Sequence, residues 1–97
     1  MTPAVSTSGD AAARLTPDDV LAVVTDVLGV VCGADAASMS AQTGLAPIGA
    51  DSLARVEMAE QLEERLTVYA PGLHIPDGDL AAFETVGDVC DYLSARL

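Results

Sequence analysis

The chain contains no lysine and no tryptophan, and its 97 residues hold only four basic side chains, all arginine, against 15 acids. The formal net charge is −11 and the pI is near 4.1. Basic patches of the kind that hold nucleic acid or anionic lipid are excluded. A partner drawn by charge must itself present a basic surface. Aromatic residues are 3% of the chain, and 17 of its hydrophobic residues are alanine, so the core must come from Leu, Val, Ile and Met. Two cysteines, Cys32 and Cys90, close at most one bridge, too few for a disulfide scaffold. They read as buried thiols acting as small hydrophobes. No apolar run reaches 18 residues, because Asp26 divides the richest stretch, so no transmembrane helix is expected. The N-terminus has no basic region before Arg14 and no sustained apolar segment, which argues against a secretory signal. A cytoplasmic location is expected. A chain of this length makes one small domain, with little room for a deep enzyme pocket.

The patterning that is present is helical. Residues 1–15 lack hydrophobic periodicity and read as a disordered leader to a domain over 16–97. Thr16-Pro17-Asp18-Asp19 is a helix start: a capping hydroxyl, a proline suited to the first turn, and acids at the positive end of the helix dipole. Val20, Leu21, Val24, Val27, Leu28 and Val31 follow at helical spacing, which predicts a helix from about Pro17 to Val31, ending near Gly33. Its valine content means that packing, not propensity, must hold it. Residues 33–50 form a long connection in which Leu45 and Ile48 look like pegs into the core. A second helix starts at Asp51, with Met58, Ala59, Leu62 and Leu66 on the core face. After a Pro/Gly loop over 67–78, Asp79 is expected to cap one short turn, Leu80 to Phe83. Thr85-Val86-Gly87-Asp88 opens a last helix with a capping box, its stripe made by Val86, Val89, Cys90, Leu93 and Leu97. The expected fold is all-α, a four-helix bundle of three main helices and one short one.

Gly49-Ala50-Asp51-Ser52-Leu53 combines a loop, a capping Asp and a Ser at the first helical position. A hydroxyl there projects away from the body, since the core stripe starts only at Arg55 and Met58. Free backbone N–H groups beside it suit a phosphate attached to that oxygen. The face behind it carries Leu53, Glu57, Glu60 and Glu64, flanked by Val56 and Glu63. Like charges three or four residues apart cost about 0.2–0.5 kcal/mol per pair. Apolar residues set among those carboxylates suggest docking to a basic surface.

These residues resemble the acyl carrier protein family. The matching pattern is Leu45-Ala-Pro-Ile48-Gly-Ala-Asp51-Ser52-Leu53, Val56-Glu57, Leu62-Glu63-Glu64, Ile75-Pro76-Asp77, and Thr85-Val86-Gly87-Asp88 before Tyr92-Leu93. The resemblance spans about residues 17–97. It implies a four-helix bundle and a non-catalytic carrier, the substrate of a phosphopantetheinyl transferase. The implied cofactor is 4′-phosphopantetheine, joined covalently to Ser52, with Asp51 and Leu53 beside it. Acyl intermediates would ride on it as thioesters. The implied contacts for ketosynthase, acyltransferase or ligase, and tailoring enzymes are Leu53, Val56, Glu57, Glu60, Glu63 and Glu64. Nucleic acid and membrane are not expected as partners, and a monomer is expected. The family pattern is broken by the longer loop over 67–74, by Ala54 and by Glu60.

A start at Met1 and an end with the last helix lead to the expectation of a discrete carrier. Gly-Ala-Asp-Ser-Leu and the glutamates resemble polyketide and fatty-acid carriers more than peptidyl carriers. Polyketide biosynthesis within secondary metabolism, as in antibiotic production, is the first expectation. Fatty-acid synthesis is the second, and an aminoacyl or peptidyl carrier the third. A serine hydrolase would need His74, the lone histidine, as base; no Gly-x-Ser-x-Gly elbow is present, and His74 reads as an exposed loop residue. Cys32, His74 and Cys90 lack metal-ligand spacing. Asp77-Gly78-Asp79 is too short for a calcium loop. An unmodified acidic adaptor would keep the same docking face.

Overall fold

The computed structural model describes residues 15–97, so all of the expected leader except Leu15 lies outside the described residues. Leu15 itself packs against the core. Helix α1 runs Pro17–Cys32. Thr16 Oγ1 accepts the Asp19 N–H at 3.1 Å, and Asp19 Oδ2 accepts the Thr16 N–H at 3.1 Å, a reciprocal capping box. The helix ends where Gly33 adopts φ 69°, the left-handed conformation that glycine reaches without a Cβ clash. Val20, Val24, Val27 and Leu28 are buried along one stripe. Each contributes about 1.5–3 kcal/mol of burial, which holds a valine-rich helix together.

Helix α2 is Ser52–Arg65, α3 is Asp77–Ala82 and α4 is Val86–Ser94. Helix α1 packs on both α2 and α4, and α3 packs on α2. The core is built of Val20, Val24, Val27, Leu28, Met58, Leu62, Leu66, Val86, Val89 and Leu93, joined by Leu45 and Ile75 from the loops. The four helices, three of them longer and one short, make an all-α bundle. Among the described residues the only β pairing is an isolated bridge, Gly44 with Thr85.

The connection between α1 and α2 is ordered by its own contacts. Asp35 caps a 3₁₀ turn, Ala36–Ser38, by accepting the Ala37 N–H at 3.0 Å. Residues 41–45 then run along the start of α4. The Leu45, Val86 and Gly87 N–H groups donate to Glu84, Thr43 and Ala41 carbonyls at 2.9, 2.9 and 2.8 Å. A Cβ on Gly87 would stand 2.9 Å from the Ala41 carbonyl oxygen, so the glycine is what lets loop and helix touch. Leu45 is completely buried, while Ile48 packs against the core only in part.

Two expectations are corrected. Helix α3 starts at Asp77, not Leu80, and has no side-chain N-cap. Asp79 lies inside it and accepts the Tyr92 hydroxyl at 2.8 Å, which ties α3 to α4. Leu97 lies past the end of α4 and is exposed, so the stripe of that helix ends at Leu93. The capping box of α4 forms as expected. Asp88 Oδ2 accepts the N–H groups of Glu84 and Thr85 at 2.8 and 3.1 Å, and Thr85 Oγ1 accepts the Asp88 N–H at 3.2 Å.

Candidate functional site

The site is built where the long loop turns into α2. Gly49 takes φ 88°, a value that disfavours any other residue. The turn closes through Gly49 N–H to the Ala46 carbonyl and Ala50 N–H to the Leu45 carbonyl, each at 3.0 Å. Buried Leu45 therefore anchors the same turn that delivers Asp51. The Asp51 side chain accepts the Ala54 N–H at 2.9 Å and caps the helix. Its carboxylate is thus occupied by the backbone.

Ser52 follows as the first residue of α2 and is exposed. Among the described residues, its hydroxyl makes no hydrogen bond. The helix geometry leaves the Ser52 and Leu53 N–H groups without intrahelical acceptors, which favours negative charge at this end. A cleft of about 180 Å³ opens beside the hydroxyl, lined by Ser52, Arg55, Val56, Asp77, Leu80 and Ala81. A nucleophilic oxygen that is accessible, unpartnered and set against donors fits covalent attachment through a phosphate.

Leu53 is 68% exposed and Val56 37%. Glu57, Glu60 and Glu64 are exposed on the same side of α2. Glu63 is placed differently. It is half-buried, and its Oε2 accepts the Ile75 N–H at 2.9 Å with His74 Nδ1 3.4 Å away. Glu63 thereby pins the far end of the loop between α2 and α3, whose Val68 is exposed and whose Leu73 packs on the core. His74 is an exposed loop residue. Among the described residues, no cluster of His, Cys, Asp and Glu has the makings of a metal site. Cys32 and Cys90 are free thiols, both half-buried. Burial, with a smaller push from Asp51, raises the Cys32 thiol above its ordinary range. Burial, helped by Asp91, pushes Cys90 up to about 11.

Arg55 has no role in the sequence reading beyond marking the start of the core stripe. In the structure its Nε donates to the Ala50 carbonyl at 2.9 Å, and its Nη1 to the Leu80 and Phe83 carbonyls at 2.7 Å each. The signal was present: one of four bases stood on the core side of an amphipathic helix. Two of its three acceptors are backbone carbonyls 25 and 28 residues away, however, and residue types do not reveal them.

The fold and the site define a small helical bundle with an exposed serine at an Asp-capped helix start. Comparison with known proteins narrows this. The family described as "Phosphopantetheine attachment site" matches residues 18–93. The meromycolate extension acyl carrier protein of Mycobacterium leprae is 31% identical over 80 residues, covering 81% of this chain and 65% of that protein. Its counterpart in Mycolicibacterium smegmatis is 32% identical over 79 residues, 80% of this chain and 75% of that protein. The acyl carrier protein of Clostridium perfringens is 47% identical over 47 residues, 48% of this chain and 55% of that protein. The chain thus spans 65% of the length of the Mycobacterium leprae relative. It belongs to the acyl carrier protein family, and its cofactor is covalent 4′-phosphopantetheine. Members of the family are carriers that work with synthase and transferase enzymes. No helix among the described residues is long and apolar enough to cross a membrane.

Proposed function

We propose that the chain is a non-catalytic, cytoplasmic carrier that holds acyl intermediates as thioesters on 4′-phosphopantetheine attached to Ser52. The observation that carries this reading is the exposed Ser52 hydroxyl, without a hydrogen bond among the described residues, at the Asp51-capped start of α2. The cofactor supplies a flexible arm ending in a thiol. The chain supplies rigidity and recognition. Asp51 holds the helix start, and the unpaired N–H groups stand ready for the phosphate. Leu53, Val56, Glu57, Glu60 and Glu64, with Glu63 at the edge, form the face that meets basic surfaces of a phosphopantetheinyl transferase, ketosynthase, acyltransferase or ligase, and tailoring enzymes. Such contacts give fast, selective encounter and fast release, and the tether raises the effective concentration of cargo at each docked enzyme.

The test is intact-protein mass after incubation with coenzyme A, Mg²⁺ and a broad-specificity phosphopantetheinyl transferase. A gain of one phosphopantetheine, absent in Ser52→Ala, is expected. No gain on a folded protein would favour an unmodified adaptor. The acidic face and the Gly-Ala-Asp-Ser-Leu run support polyketide cargo. A second reading, fatty-acyl cargo, is favoured by relatives whose names specify meromycolate extension. The masses of acyl groups released from Ser52 of protein taken from its own cells separate the two.

A further inference from the structure

Three N–H groups of the Arg55 guanidinium converge on carbonyls from two separate segments. One is Ala50, two residues before Ser52. The others are Leu80 in α3 and Phe83 just past it. Helix α3 has six residues, no side-chain N-cap and no base in its last turn. The Leu80 carbonyl accepts only a long bond from the Phe83 N–H, 3.4 Å, and Arg55 adds charge-assisted hydrogen bonds to it and to the Phe83 carbonyl. On the other side, Ala50 is 3% exposed and its N–H is already bound to the Leu45 carbonyl at 3.0 Å. Ala50, the residue leading into Asp51-Ser52, is thus gripped at both its donor and its acceptor. Arg55 and Leu80 also line the cleft beside the Ser52 hydroxyl.

We propose that Arg55 is a positioning residue for the modification of Ser52, fixing both the backbone that presents Oγ and the α3 wall facing it. The inference rests on the reading of Ser52 as the attachment residue. In that transfer Ser52 Oγ bonds to the phosphorus of coenzyme A that carries the pantetheine. The P–O bond to adenosine 3′,5′-bisphosphate breaks, and the serine proton passes to a base of the transferase. Displacement at phosphorus demands an oxygen held in line with the departing group. A loosened loop–helix junction spreads Oγ over many orientations.

The test is the single-turnover rate of loading by a broad-specificity phosphopantetheinyl transferase with coenzyme A and Mg²⁺, measured against carrier concentration. Arg55→Gln should lower the maximal rate about tenfold, the scale on which small misplacements slow reactions, with the half-saturating carrier concentration unchanged. Arg55→Lys, a point charge that reaches fewer of the carbonyls, should recover part of the rate. A merely structural role behaves differently. Partial unfolding depletes the competent carrier, so the half-saturating concentration rises while the maximal rate stays. That pattern, or a wild-type rate in both variants, overturns the proposal. If Arg55→Gln does not fold, Arg55→Lys decides by the same split. Ser52→Ala runs in parallel. Loading that persists there refutes the attachment reading itself, whereas loading lost there with unaltered Arg55 variants refutes only the role of Arg55.

Discussion

Replacing Leu45 with alanine should be among the most damaging single changes outside the helices. The residue sits in the irregular connection between α1 and α2, yet it is completely buried. Its N–H donates to Glu84 and its carbonyl accepts from Ala50, so the side chain anchors backbone that reaches both α4 and the site. Truncation removes three buried carbons, about 2.4 kcal/mol at 0.8 per carbon, and the residual cavity brings the cost to roughly 3 kcal/mol within a 2–5 range. A domain of this size holds about 5–15 kcal/mol in all. Urea unfolding followed by far-ultraviolet circular dichroism reads this directly. With a slope near 1 kcal/mol per molar, the midpoint should fall by roughly 2–5 M with the slope unchanged. Ile48→Ala, at a half-buried peg in the same loop, should cost about 1 kcal/mol or less, because less apolar surface returns to water. Equal shifts for the two variants, or a Leu45→Ala shift below that of Ile48→Ala, would refute the claim that Leu45 pins the loop.

Gly87→Ala should destabilise by about 1–3 kcal/mol through overpacking, although alanine is the better helix former, because the new Cβ meets the Ala41 carbonyl oxygen at 2.9 Å. Thermal midpoints check the sign. Asp88 is held below the ordinary carboxylate range, first by the Glu84 N–H and next by the Thr85 N–H. Its contribution is therefore present in full above the unfolded carboxylate range and lost as pH falls through the lower folded value. The urea-midpoint gap between wild type and Asp88→Ala should shrink from pH 7 to pH 3; a constant gap counts against the assignment. Cys90, pushed up to about 11 by burial, should alkylate with iodoacetamide at pH 8 far more slowly than in urea-unfolded protein, as peptide mapping would reveal. Double reversal of Glu57 and Glu60 to Arg should slow loading in a salt-dependent way while leaving the fold intact, and an unchanged rate would remove these residues from the docking face.

The sequence alone determined the parts whose information is local. The caps at Thr16, Asp51 and Thr85, the glycine stop at Gly33 and the 3.6-residue stripes state three helices, because each depends on neighbours within one turn. The exposed hydroxyl of Ser52 followed in the same way, from its place one residue after a capping Asp and off the core stripe. The tertiary structure alone decided what depends on residues far apart. The extent of α3 was misread because no local cap marks it; its last turn is satisfied by Arg55, 25 and 28 residues upstream of the carbonyls it binds. Asp79 reads as a cap by type but serves Tyr92, 13 residues on. Glu63 reads as part of a solvated acidic face until the loop between α2 and α3 folds back and offers it the Ile75 N–H. Periodicity places a side chain on a face of its own helix, but which backbone groups arrive at that face is settled only when the chain packs.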